Sequence, residues 1–174
     1  MLASLEEFSH SGYVRERYPT YEEGLAAVTA DWETFRDNIP ALPGEYDALR
    51  EKAAWNLWSF LVSPSGQLKR EMLYMTKDGP TSQWQLTFQA AAFANNTRAA
   101  WDQMLVPFDH QSETGQLPDF YDECHGAFLT IRPPIHGWAL KLMKQLGYYQ
   151  NVPQEEIAAF YPKLAAWADW FGKY

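Results

Sequence analysis

The sequence predicts an all-α protein assembled from helical hairpins. Three observations predict it. Apolar residues recur at three- and four-residue intervals in several long stretches. Proline- and glycine-bearing breaks separate those stretches. The alternation of strand and helix patterns that builds a parallel sheet is missing, as is any fixed-period repeat.

The elements follow in order. Thr20-Tyr21-Glu22-Glu23 has capping-box spacing and opens a helix after Pro19, with Leu25, Val28, Trp32 and Phe35 on its apolar side to about Ile39. Pro40 and Pro43 end this lead-in, residues 1–43. A second helix is expected from about Gly44, with Leu49, Ala53, Trp55, Leu57, Trp58 and Leu61 as a broad apolar face and a stop at Ser63-Pro64-Ser65-Gly66. Residues 67–77 read as a short extended segment, and Asp78-Gly79-Pro80 as a break. A third helix is expected from Ser82 to Phe93 and a fourth from Thr97 to Phe108, the latter capped by Asn96. The next stretch is mostly irregular. Pro133-Pro134 then starts a helix that ends near Gly147, and Pro153 opens a last one with Ile157, Phe160, Leu164, Trp167 and Trp170 on one face.

Composition narrows the function. A chain of 174 residues with 47% hydrophobic and 21% charged residues suits one folded domain over 1–174. Fourteen Lys and Arg against 22 Asp and Glu leave a net charge of −8, which argues against nucleic acid as a partner and permits a neutral or cationic ligand. Cys124 is the only cysteine, so neither an internal disulfide nor a Cys-based zinc site is expected. MLASLEEFSH has no basic start and no apolar block, and no stretch is apolar for long enough to cross a bilayer. The expected location is cytoplasmic.

Phosphate-loop, zincin and serine-hydrolase motifs are missing. A metal site from His110, His125 and His136 with Asp109 or Asp122 is the weaker reading of the dispersed histidines, and no metal or other cofactor is expected. What stands out is aromatics mixed with carboxylates, since Phe, Trp and Tyr make up 16% of the chain. Asp109, Glu113, Asp119, Asp122 and Glu123 lie among Phe108, Phe120, Tyr121 and Phe128. Aromatic faces can pack on the C–H face of a sugar ring while carboxylates and amides bind its hydroxyls, so a carbohydrate ligand is the expectation. A solvated acidic loop and plain hairpin packing are the bland alternatives.

The segments SPSGQLKREMLYMTK, WQLTFQAAAFA, AAWDQMLVPFDHQSETGQLPDF and RPPIHGWALKLM, taken together over about residues 55–174, resemble the trehalase-like six-hairpin (α/α) glycosidases. The similarity is nearest to glycoside hydrolase family 63, which includes processing α-glucosidase and bacterial relatives. The resemblance implies hairpins forming part of an (α/α)6 toroid whose loops gather into a sugar pocket at one end. It implies that Trp84 forms a subsite wall, that Gln111 and Asp119 bind hydroxyls, and that Pro133-Pro134 direct His136 and Trp138 to the rim. The implied activity is inverting hydrolysis of an α-linked glucoside.

Two departures qualify that activity. Gln85 stands where relatives carry the general-acid aspartate, and an amide has no proton to deliver near neutral pH. Natural loss of activity, transfer of the role to Asp119 or Asp78, or a deliberate substitution would each account for it. The length also matches only the front half of such a toroid, and the family's general base lies beyond the matched part. A half toroid exposes apolar hairpin faces, so a second polypeptide or a copy of the chain is the expected partner. The chain alone is expected to be inactive; the alternative is a non-catalytic carbohydrate-binding or assembly protein of glycosidase descent.

Overall fold

The computed structural model describes residues 20–75, 81–93, 95–129 and 132–173. The chain divides into two units, one up to Arg36 and one from Asp37 to Tyr174. Helices dominate, with six α-helices and a few two-residue strands among the described residues.

In the first unit, α1 (Tyr21–Asp37) begins as expected. The Thr20 hydroxyl accepts from the Glu23 N–H at 3.2 Å, and the Glu23 carboxylate accepts from the Thr20 N–H at 3.2 Å. Two of the first-turn donors that a helix leaves unpaired are thereby satisfied.

The second unit opens with a 3-10 turn at Gly44–Tyr46 that runs into α2 (Asp47–Ser59). That helix stops before the Ser-Pro-Ser-Gly break, because Leu61 and Val62 leave it to form β1. They pair antiparallel with β2 (Met72–Leu73), the only part of segment 67–77 in a strand among the described residues, in the register Leu61–Leu73 and Val62–Met72. Burying Met72 and Leu73 completely outweighs another helical turn for Leu61.

β3 (Thr81–Ser82) leads directly into α3 (Gln83–Ala90). α4 (Thr97–Leu105) follows, capped by Asn96, whose side chain accepts from the Ala99 N–H at 3.0 Å. Both helices end earlier than their periodicity predicts; after α4 the chain tightens into a 3-10 helix at Val106–His110, with Pro107 in its first turn. The stretch expected to be irregular contains a small hairpin, β4 (Phe120–Tyr121) and β5 (Gly126–Ala127), with β4 also paired to β3.

Pro133 and Pro134 lie before α5 (His136–Gln145) rather than inside it, and Ile135 N–H donates to the Pro133 carbonyl at 2.9 Å. Gly147, at φ +80°, closes that helix in the left-handed conformation that glycine adopts at little cost. A 3-10 segment at Tyr148–Asn151 and then α6 (Gln154–Lys173) complete the chain. None of the described helices is long and apolar enough to cross a membrane.

Two buried groups hold the second unit together. Leu68, Met72, Leu86, Val106 and Tyr121 form one, with Val62 and Tyr74 packed against it. The other is aromatic. Phe108 meets Phe160 edge-on at 4.7 Å, Trp101 meets Phe160 at 5.3 Å, and Trp167 stacks on Trp170 at 5.3 Å. Gln103, buried on α4, joins helix to strand: its amide oxygen accepts from the Leu73 N–H and its NH2 donates to the Glu71 carbonyl, both at 3.0 Å. α3 packs against α4 and also against α5, which sets up the surface described next.

Candidate functional site

The side chains expected to line a sugar site divide into an exposed aromatic strip and a set of interior braces. The strip is made by α3 and α5. Trp84 and Phe88 are four residues apart, hence neighbours on one helical face, with ring centroids 5.8 Å apart. Phe88 in turn meets Trp138 of α5 at 5.4 Å. Phe88 is 47% exposed and Trp138 50%, whereas Trp84 is half-buried. Phe88 was not singled out in the sequence, although its i, i+4 spacing from Trp84 was the available signal.

Gln85 adjoins the strip, but its amide serves the helix start. Its oxygen accepts from the Ser82 hydroxyl at 2.5 Å and from the Ser82 N–H at 3.3 Å, which completes a capping box. Its NH2 donates to the Met75 sulfur. Position 85 therefore holds a neutral side chain whose polar atoms serve local structure.

Gln111 and Asp119 use polar atoms on the protein itself. Gln111 donates to the carbonyls of Gly115 and Lys163, each at 2.9 Å, and so ties the GQLPD loop to α6. Gly115 sits at φ +96°, and a Cβ there would lie 2.4 Å from the Ala166 carbonyl oxygen, so this contact is backbone against backbone. The Asp119 side chain is fully buried; its Oδ1 accepts from Arg132 Nε at 3.2 Å, and the Arg132 guanidinium lies 4.9 Å over the Phe120 ring. This pair ties the β-hairpin to the segment before Pro133. Asp78 lies outside the described residues.

His136 departs from the rim position expected of it. It is 1% exposed, its ring faces Phe108 at 5.1 Å and Trp167 at 6.5 Å, and neither nitrogen makes a hydrogen bond among the described residues. The reason is helical geometry. Residues two apart cannot share a face, so on α5 one of His136 and Trp138 points outward while the other turns into the core.

Burial lowers the His136 pKa to about 4. An unfolded chain would take up this proton near the ordinary histidine value of about 6.5, and the native state does so only near 4. Stability is therefore expected to fall as pH drops from about 6.5 to 4, on the order of 3 kcal/mol in total from this residue. Urea unfolding at a series of pH values would show it, and His136→Phe should flatten the profile over that window.

His110 and His125 do not assemble with it. His110 is hydrogen-bonded through Nε2 to the Gln67 carbonyl at 3.0 Å, lies tilted against the Tyr121 ring at 4.5 Å, and has its pKa lowered chiefly by burial. Among the described residues, the side chains grouped closely enough to share a metal ion are Asp122, Cys124 and His125.

A cleft of about 420 Å³ is lined by Arg70, Arg98, Asp109, Glu156, Phe160 and Lys163 among others, and none of its lining residues belongs to the strip. Arg70 pairs with Asp109 at 2.8 Å and Asp102 at 2.9 Å, and Arg98 pairs with Glu156 at 2.8 Å and also with Asp102. Burial disfavours the Arg70 charge, yet Asp109 and Asp102 together hold its pKa above the ordinary arginine value. The guanidiniums of this cleft are already neutralised by carboxylates, so it does not form an anion-attracting field. No protein-family model matches the chain, and no curated protein or solved structure matches it either.

Proposed function

We propose that the chain is a carbohydrate-binding segment of glycosidase type, with Trp84, Phe88 and Trp138 as the surface on which a pyranose ring lies. The observation that carries the reading is this strip: three large rings in continuous contact, two of them about half exposed, contributed by two packed helices. Flat amphipathic faces at a solvent boundary suit a ligand with one apolar face and a hydroxylated edge. The motif resemblance implies the substrate class, an α-linked glucoside, and an (α/α)6 toroid of which the hairpins would form part. Large exposed aromatic surface is also what an interface with a second polypeptide or another copy would use.

Hydrolysis is not expected from this chain alone. Glycoside cleavage by paired carboxyl groups needs one that can protonate the leaving oxygen. At position 85 the group is an amide engaged in capping, and Asp119 is buried against Arg132.

Titration with maltose and longer α-glucans, followed by tryptophan fluorescence and calorimetry, tests the reading. Saturable binding is expected, with Trp138→Ala weakening it tenfold or more, which corresponds to about 1.4 kcal/mol. Absence of binding at millimolar glucan, or an unchanged affinity in that variant, would reject the strip as a sugar site. A chromogenic α-glucoside should stay intact with the purified chain, whereas Gln85→Asp with the complementary half supplied should cleave it.

A further inference from the structure

We propose that Asp122, Cys124 and His125 form a site for a borderline divalent transition-metal ion of the zinc or cobalt kind, with one coordination position left to solvent. The three residues occupy the loop between β4 and β5. Their potential ligand atoms, a carboxylate oxygen, the thiol sulfur and an imidazole nitrogen, all lie within 4.8 Å of one another.

Geometry makes the convergence usable. Ligands bound at about 2.0–2.3 Å in a tetrahedral site stand roughly 3.3–3.8 Å from each other. His125 Nδ1 lies 3.5 Å from Asp122 Oδ1, the oxygen that also closes the turn through backbone N–H groups, which leaves Oδ2 to turn toward an ion. Cys124 and His125 are exposed, so small rotations about their side-chain bonds meet no packing barrier.

The backbone that carries these residues is held from within by Asp122 Oδ1, which accepts from the N–H groups of Cys124 at 2.8 Å and His125 at 2.6 Å, and also from outside the cluster. Gln67 donates from its backbone N–H to the Glu123 carbonyl at 2.9 Å and from its side chain to the Asp122 carbonyl at 2.8 Å. The Glu123 carboxylate accepts from the Tyr74 hydroxyl. Gly66, at φ +54°, lets the neighbouring turn approach so closely that a Cβ would lie 2.1 Å from the Glu123 oxygen. An entering ion therefore orders two side chains rather than a whole loop, which reduces the entropic cost of binding.

Donor chemistry sets the ion. Thiolate, imidazole and carboxylate together suit zinc, cobalt, nickel or copper, while calcium and magnesium prefer oxygen-only shells. Binding displaces the Cys124 thiol proton to solvent, and the resulting thiolate with the Asp122 carboxylate balances a 2+ charge. The expectation against a Cys-based metal site counted thiols alone; a mixed set needs only one.

The test is a Co²⁺ titration of the full chain under a non-chelating reductant. One equivalent is expected to give a near-ultraviolet thiolate-to-cobalt band and strong visible bands of four-coordinate cobalt. Zn²⁺ should displace them and Ca²⁺ should not. Cys124→Ser should abolish the near-ultraviolet band, and His125→Gln should weaken binding at least tenfold. On the unmodified protein, Zn²⁺ should slow alkylation of Cys124 by iodoacetamide at least tenfold. Weak absorption of hydrated cobalt alone, an affinity within twofold in His125→Gln, or alkylation unaffected by Zn²⁺ would overturn the proposal.

Discussion

Replacing Phe108 by alanine is expected to cost about 3–5 kcal/mol. Phe108 is 1% exposed and meets two other rings edge-on, Phe160 at 4.7 Å and His136 at 5.1 Å. Truncation removes the transfer energy of the ring and opens a void beside a histidine whose nitrogens have no hydrogen-bond partner among the described residues. Water entering that void would solvate the imidazole. The variant should therefore be less stable at neutral pH and yet lose less of its remaining stability between pH 6.5 and 4 than the parent does. Urea unfolding at both ends of that range would measure the two effects together. A loss below about 1 kcal/mol would mean that the aromatic group repacks freely.

The second large effect is expected at Gly115. An alanine there must keep φ near +96° while its Cβ lies 2.4 Å from the carbonyl oxygen of Ala166 and 2.9 Å from its carbon. The obstruction is backbone of α6, which cannot rotate away as a side chain could. Left-handed strain and displacement of the loop together should cost about 2–4 kcal/mol. Gln111, which bridges Gly115 and Lys163, should lose its geometry in the same step. Gly137 is the matched control: it lies within α5, and a Cβ there meets nothing within 4 Å. Gly137→Ala should stabilise by about 0.5–1 kcal/mol through helix propensity. Similar denaturation midpoints for the two variants would contradict this account of the loop.

The capping box at Thr20 and Glu23, the Asn96 cap, the break at Pro40 and the helix start after Pro153 act within a few residues, and all are present as read, whereas Pro133 and Pro134 precede the helix they were expected to start. Local signals such as these depend on the backbone's own unpaired groups, so composition and spacing suffice to find them. The end of α2 was misread because Leu61 and Val62 answer to a strand partner at Met72 and Leu73, several residues further on.

The candidate site divides in the same way. Trp84 and Trp138 were named through the motif resemblance alone, and the packing of α3 on α5 sets Phe88 between the two tryptophans. His136 and Asp119 looked equally suited to a ligand, yet one is sealed among aromatic rings and the other is paired with Arg132. Asp122, Cys124 and His125 carried no recognisable spacing signature; only the turn between β4 and β5, fastened by Gln67, brings their ligand atoms together.

The linear chain was enough to establish a helical class and most helix starts, and it named a set of aromatic and polar side chains as candidates for a site. The three-dimensional packing decided which of those side chains face water and which serve as interior braces. Helix starts are governed by hydrogen-bonding groups a few residues apart. The side a residue presents is governed instead by contacts between segments distant in the chain, where burying Phe108, Trp167 and Phe160 outweighs the solvation of one histidine.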